Sequence, residues 1–364
     1  MSVENHALCF VNGMHLYAGA EVWMLEAATN LRDRGRTVHF VAPPGSPLLE
    51  RARAAGFHVA GIDIRFDASP FTLARLWTEF RHTRPAAVVC NRLKDLKAAG
   101  VAGALAGVPI RLYSRESDFP LRSTRPYYRW YLNKVATGLL VNSDATRRTT
   151  LASAPWLDLA RVHTLLKGVD LLTFQPTPRN AGIPTVGFAG QLSERKGLTT
   201  LMKAWETLRT RNDALPAARL LIAGQGELRE ELCRWRDGLS APAEVELLGQ
   251  VDAMPAFYAS LDVLALPSRY EGYGLTAAEA LACGRPVVAC DTSSMPELVS
   301  DGSSGRLVPI DRPDLVADAL HAYLVDPDLA AVHGAAGRAA MVAGHDREQT
   351  LDQLDALTTP KGSS

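Results

Sequence analysis

Two carboxylates eight residues apart, Glu271 and Glu279, frame the stretch SRYEGYGLTAAEALACGRPVVA at Ser268–Ala289. Gly272 and Gly274 let the backbone approach a bound molecule closely, and a small-residue helix is expected to begin near Leu275. At 100° per residue, Leu275, Ala278, Leu281 and Ala282 share one packed face, with Glu279 at its edge. A carboxylate so placed is half-buried and needs hydrogen-bond donors, which sugar hydroxyls would supply. Taken alone, Glu271 could equally be a turn residue and Glu279 a surface charge.

Three other turns carry residues suited to a polar ligand. FAGQLSERKG places Gly190, Arg195, Lys196 and Gly197 where a strand gives way to a helix, and two cations beside free backbone N–H groups suit a diphosphate. LLIAGQGELRE carries Gly224 and Gly226 ahead of acidic residues that suit a helix start. LLGQVDAMP places Gly249, Gln250 and Val251 on a further turn, whose main chain could read a nucleotide base. None of these is a P-loop, because G-x-x-x-x-G-K-[ST] is missing. RLYSRESDFPLRSTRPYYRWYLNKVA, Arg111 to Ala136, concentrates basic and aromatic residues. It reads either as a face for an anionic glycolipid or a membrane surface, or as a helix from about Pro126 with its aromatics in the core.

Elements that position such residues follow from the apolar runs. ALCFVN, TVHFVA, FHVAGI, AAVVC, PIRLYS, TGLLVN and RVHTLL alternate with helical segments, as parallel strands covered on both faces do. After the Pro-rich stretch TFQPTPRNAGIP the rhythm restarts with TVGFAG, ARLLIAG, EVELLG, LDVLALP, PVVAC and GRLVP. The reading is α/β: two doubly wound Rossmann-like domains, residues 1–172 and 184–344, joined by a linker at 173–183. A helix at 345–357, started by Asp346, is expected to pack back on the first domain, and 358–364 to be a disordered tail. Ligands bind beyond the carboxyl ends of such strands, so a cleft between the domains is the expected active site.

The combination of GQLSERKG, LLIAGQGEL, LDVLALPSRYEGYGLTAAEALACGRPVVA and MPELVSDGSSGRLVP resembles the donor-binding half of family-4 glycosyltransferases, retaining enzymes of the two-Rossmann GT-B fold. YAGAEVWMLEAATNLRDRGRTVHF, VNSDAT and LLKGVDLLTFQP extend the resemblance into the first half. It implies that Glu271 faces the donor sugar, Glu279 holds the ribose, and Lys196 and the Gly19 loop meet the diphosphate. Gly190, Gln191, Arg195, Gly249, Val251, Gly272, Gly274 and Leu275 complete the implied donor site. A UDP- or GDP-sugar is the implied co-substrate, with no nucleophile from the protein. Four departures stand out. Gln191 replaces an arginine, so Arg195 is the candidate substitute cation. The loop reads Ala18-Gly19 rather than two glycines, and Lys167 replaces an asparagine. Where the family carries a histidine near the reacting sugar, this chain has Arg115, Glu116 and Asp118. Glu116 joins Glu271, Lys196 and Arg195 as the catalytic set, and Arg115, Asp118 and Arg122 are assigned to the acceptor. Which of Arg115, Glu116 and Asp118 faces the sugar the sequence leaves open. The RESDFPLRS loop and its aromatic helix look most like bacterial transferases of lipopolysaccharide core or related surface glycans.

Composition excludes several classes. At 364 residues two cores are expected, and 39 basic against 39 acidic residues leave no net charge for bulk nucleic-acid binding. No basic-then-apolar leader opens the chain, so a cytoplasmic location is expected, with peripheral contact at the inner membrane face. Five cysteines without C-x-x-C read as buried thiols. No metal is expected: the single D-x-D, Asp326-Pro327-Asp328, reads as a helix cap, and no histidines pair at zinc spacing. Three alternatives remain: a GT-B epimerase or phosphorylase, a nicotinamide-dependent Rossmann enzyme, disfavoured by the missing G-x-G-x-x-G, and a non-catalytic nucleotide-sugar-binding module.

Overall fold

The computed structural model describes residues 6–17, 19–64, 69–121, 126–178, 182–210 and 217–360. Every apolar run named above is a strand. The first unit, Met1–Lys167 with Gln349–Ser364, holds β1 (Leu8–Val11), β2 (Val38–Ala42), β3 (His58–Gly61), β4 (Ala87–Cys90), β5 (Ile110–Arg115), β6 (Gly138–Val141) and β7 (Val162–Thr164). The second, Gly168–Glu348, holds β8 (Thr185–Ala189), β9 (Arg219–Ala223), β10 (Val245–Gly249), β11 (Val263–Leu266), β12 (Val287–Cys290) and β13 (Gly305–Val308). The sheet orders are β3-β2-β1-β4-β5-β6-β7 and β10-β9-β8-β11-β12-β13, and all pairings are parallel. Two doubly wound α/β units are therefore present, as the strand rhythm predicts.

Strand β1 shows why the runs are continuously apolar. Its side chains alternate between faces, and both faces are covered. Leu8 and Phe10 join Trp23, Met24 and Leu31 of the helix Gly19–Asp33. Cys9 and Val11 join Leu76, Phe80, Leu96 and Leu132 on the other side. The helix Arg347–Thr358 belongs to the first face, since Leu351 and Leu354 are fully buried there. Residues 361–364 lie outside the described residues. Thr358, by contrast, is buried, and its carbonyl accepts from Arg36 Nη2 at 2.9 Å.

The Pro-rich stretch belongs to the second unit. Thr177 accepts from Arg285 through both its carbonyl and its hydroxyl, and Phe174 packs edge-on against Tyr258. Asp326 caps the helix Pro327–Gly344 by accepting from Leu329 N at 3.0 Å, so the D-x-D has the capping role expected of it. Four of the five cysteines are buried and Cys233 is half-buried.

Both passages of the chain into the second unit are tied together. Val169 and Asp346 form a parallel bridge, and Arg347 pairs with Asp170 at 2.7 Å.

Candidate functional site

In each sheet the strand order reverses once, and crevices at such switch points bind ligands in open α/β sheets. In the second unit the reversal lies between β8 and β11. The loop after β8 delivers Lys196 and the loop after β11 delivers Glu271, and the structure joins them. Lys196 Nζ lies 2.6 and 2.7 Å from the two carboxylate oxygens of Glu271. Ser268 Oγ, on the same turn, donates to Glu271 Oε1 at 2.8 Å. Glu271 is buried and Lys196 is only 14% exposed at its side chain, so the pair meets in a shielded place where charge interactions are strong.

Glycines allow this crowding. Gly197 adopts a φ of +70°, and a Cβ there would fall 1.8 Å from the Pro267 carbonyl oxygen. Gly224 has φ +137°, and its Cβ would fall 1.8 Å from the Gly190 carbonyl oxygen. The post-strand turns thus lie backbone against backbone. For Gly224 and Gly197 this packing is a sufficient structural reason.

Gln191 and Arg195 are neighbours on the exposed rim. Arg195 Nη2 lies 3.4 Å from Gln191 Oε1, and its guanidinium stands 5.9 Å from the Tyr270 ring centroid. Gly190, Gly249, Val251, Gly272 and Leu275 are half-buried at the carboxyl ends of their strands or just beyond. Gly274 is left-handed at the start of the helix Leu275–Ala282, where a Cβ would lie 2.2 Å from Met295 Cε.

Glu279 has a different partner. It is half-buried and accepts from Tyr258 OH at 2.7 Å. Burial, and then the adjacent Glu279 charge, push the Tyr258 hydroxyl well above its ordinary range, so it stays a donor. Sequence reasoning missed Tyr258, which lies 21 residues away on another helix and carries no local signal. It also missed Tyr273 and Ser294, which hold the Glu271 turn. Ser294 Oγ donates to the Tyr273 carbonyl at 2.9 Å, and Tyr273 OH meets His345 Nδ1 at 3.0 Å.

In the first unit Gly19 is the exposed first residue of its helix, and Ala18 lies outside the described residues. Glu21, two residues on, is buried and accepts from Asn12 Nδ2 at 2.7 Å. Arg115 is buried at the end of β5 and donates to the Phe119 carbonyl, which binds its own loop together. Glu116 turns the other way. Its Oε1 accepts from Ser114 Oγ at 2.7 Å and from Lys167 Nζ at 2.8 Å, and Asn142 Nδ2 lies 3.4 Å from Oε2. Asp118 is half-exposed, and Arg122 lies outside the described residues. The structure therefore brings Lys196 to Glu271, Arg195 to Gln191 and Glu116 to Lys167. Among the described residues no group of three or more His, Cys, Asp or Glu could hold a metal ion, and no helix is long and apolar enough to cross a membrane.

Comparison with known proteins places this geometry. Residues 183–326 match the model of glycosyl transferases group 1, and residues 17–171 match that of glycosyltransferase family 4. A GDP-mannose-dependent alpha-(1-6)-phosphatidylinositol monomannoside mannosyltransferase of Mycobacterium tuberculosis is 34% identical over 239 residues, 59% of this chain and 60% of the relative. An alpha-maltose-1-phosphate synthase of the same organism is 30% identical over 249 residues, 60% and 62% of the two chains. The chain thus spans about three fifths of the length of these curated relatives. Among solved structures, Anabaena HepE in complex with UDP superposes with a TM-score of 0.82 at 18% identity, covering 96% of this chain and 98% of that one. The apo form of the lipopolysaccharide outer core galactosyltransferase WaaB does so with a TM-score of 0.73 at 16% identity, covering 96% and 98%. With a glycosyltransferase model matching each half and both sheets wound in the same doubly wound order, this chain belongs to the family-4 glycosyltransferases of the GT-B fold.

Proposed function

We propose that this protein is a retaining, metal-independent hexosyltransferase that moves a hexose-like sugar from a UDP- or GDP-sugar to a bacterial glycan or glycolipid, such as lipopolysaccharide core. The observation that carries the reading is the Lys196–Glu271 pair at the β8/β11 switch point, 2.6 Å apart and shielded from water. Breaking the anomeric bond of a nucleotide sugar puts negative charge on the leaving phosphate and oxocarbenium character on the sugar. Lys196 meets the first, with Arg195 supplying the second cation beside Gln191. Glu271, fixed by Lys196 and Ser268, accepts hydroxyls of the sugar and holds it in position. Glu279, oriented by Tyr258, grips the ribose. The two carboxylates have unlike partners, which suits two grips on one donor better than the flanking pair of a hydrolase. The acceptor then attacks from the face the diphosphate leaves.

Two bases are kept for the donor because one relative is named for GDP-mannose and one structural neighbour was solved with UDP. A glycolipid acceptor is supported by the surface around residue 126. Phe119, Tyr127 and Trp130 are exposed, and the short helix Pro126–Trp130 buries none of its residues. Arg129 and Lys134 are exposed on the same segment. Aromatics with cations suit peripheral contact with the inner face of a cytoplasmic membrane, where this reading places the protein.

The test is a thermal-shift screen of UDP- and GDP-hexoses, followed by turnover with glycan acceptors and NMR assignment of the product's anomeric configuration. Stabilisation by one nucleotide sugar and a product that keeps the donor's configuration are expected. An inverted product sinks the retaining mechanism, and indifference to every nucleotide sinks the donor site.

A further inference from the structure

Two departures from the family pattern, Lys167 and Glu116, lie 51 residues apart in the chain and are paired in space. Lys167 is a lysine whose side chain is only 6% exposed, at the carboxyl edge of the first sheet. Such a charge is costly unless it is paired. Its ammonium nitrogen stands 3.8 Å from the centroid of the Trp23 ring, and its carbonyl accepts from Trp23 Nε1 at 2.9 Å. The indole therefore clamps the lysine at both ends, and the remaining direction of its charge is Glu116 Oε1 at 2.8 Å.

The carboxylate is then only half used. Oε1 takes two donors, Lys167 and Ser114 Oγ, which fill its lone pairs. Among the described residues, Oε2 has only Asn142 Nδ2 at the long distance of 3.4 Å. That amide is held in place, since Thr146 Oγ1 donates to Asn142 Oδ1 at 2.9 Å and Ser143 Oγ donates to Thr146 Oγ1 at 3.0 Å. Glu116 keeps 21% of its side chain exposed, whereas Lys167 and Asn142 are buried. One oxygen is taken by two close donors and the other by a single long contact, in a partly exposed carboxylate at the strand ends where α/β sheets bind ligands.

We propose that Glu116 Oε2 accepts a hydrogen bond from a sugar hydroxyl, and that Lys167 is a positioning residue that fixes Glu116 for that contact. The inference rests on the nucleotide-sugar reading above and deepens it. The hydroxyl belongs either to the donor sugar or to the acceptor, and the test separates these sources. Full-length wild type, Glu116→Gln, Lys167→Met, Lys167→Arg and the double variant Glu116→Gln/Lys167→Met are titrated with UDP, GDP, UDP-glucose and GDP-mannose, and assayed for kcat and KM with thermal melting alongside. Glu116→Gln and Lys167→Met are each expected to lower kcat about tenfold or more while free-nucleotide affinity stays within about twofold. The double variant is expected to fall within about twofold of the worse single, because the two act through one contact. Lys167→Arg, which keeps the cation and its ring contact, is expected to recover most of the rate.

If the affinity gained on adding the sugar to the nucleotide shrinks in both single variants, the hydroxyl is the donor's. If that gain is intact and the loss falls on transfer to a glycoside acceptor, it is the acceptor's. Lower melting temperatures with unchanged kcat and KM make Lys167 purely structural and overturn the inference. So do losses that multiply in the double variant. A wild type that neither binds nor consumes any nucleotide sugar overturns the functional reading and this inference together.

Discussion

Glu271 lies on the turn after β11 and Glu279 on the helix that follows, yet one is held by a lysine and a serine and the other by a tyrosine. The difference can be read by substitution. Glu271→Ala is expected to abolish transfer while leaving UDP or GDP binding within about tenfold, since the proposed role of this carboxylate is to hold the sugar rather than the nucleotide. Glu279→Ala is expected chiefly to weaken nucleotide binding. Calorimetric titration of both variants checks this, and equal loss of nucleotide affinity in the two refutes the division of roles. Glu271 and Glu279 were legible at this scale because both sit beside small or turn residues with a recognisable spacing. Tyr258 and the Lys167–Glu116 pair were not, because a contact between residues 21 or 51 positions apart leaves no local period to find.

The strands were legible because a parallel strand buried on both faces is apolar at nearly every position, as the fully buried run GLLV of β6 shows. The turns were only half legible. The glycines announced themselves, but their cause did not, since Gly197 and Gly224 exist to let one backbone lie on another. Gly197→Ala should therefore destabilise the second unit by about 3 kcal/mol or more, combining left-handed strain with a collision against the Pro267 carbonyl. Gly35→Ala has similar strain, at φ +89°, but no atom within 4 Å, and should cost only about 1 kcal/mol. Urea denaturation of both variants measures the contrast, and equal losses would show that strain alone matters. The helix Arg347–Thr358 gives a packing test. Leu354→Ala removes a fully buried side chain from the first unit's core and should cost about 2–5 kcal/mol in the same experiment.

Across the whole molecule, three histidines set an acid limit. Burial holds His39, His333 and His345 below the ordinary histidine range, with His58 adding to the effect at His39 and Arg306 at His333. His333 and His345 meet the hydroxyls of Tyr323 and Tyr273 through Nδ1, a role open to a neutral ring as acceptor. The unfolded chain takes up these protons near pH 6.5 and the folded chain resists them. Stability is then fully present above about pH 6.5 and lost as the pH falls toward the depressed values. Melting temperatures measured from pH 8 to pH 5 should show that decline, and His345→Gln should make it shallower; a flat profile would refute it. The chain order carries a further consequence. Residues 168–348 form one unbroken segment, while the other unit is assembled from the stretches on either side of it. Topologically the second unit is a guest within the first, and its two ends are already laced together by Val169, Asp346 and the Asp170–Arg347 pair. A guest with adjoining ends can be excised as a single piece without leaving a wide gap to bridge. The host has no such freedom, because its last helix is translated only after the entire guest.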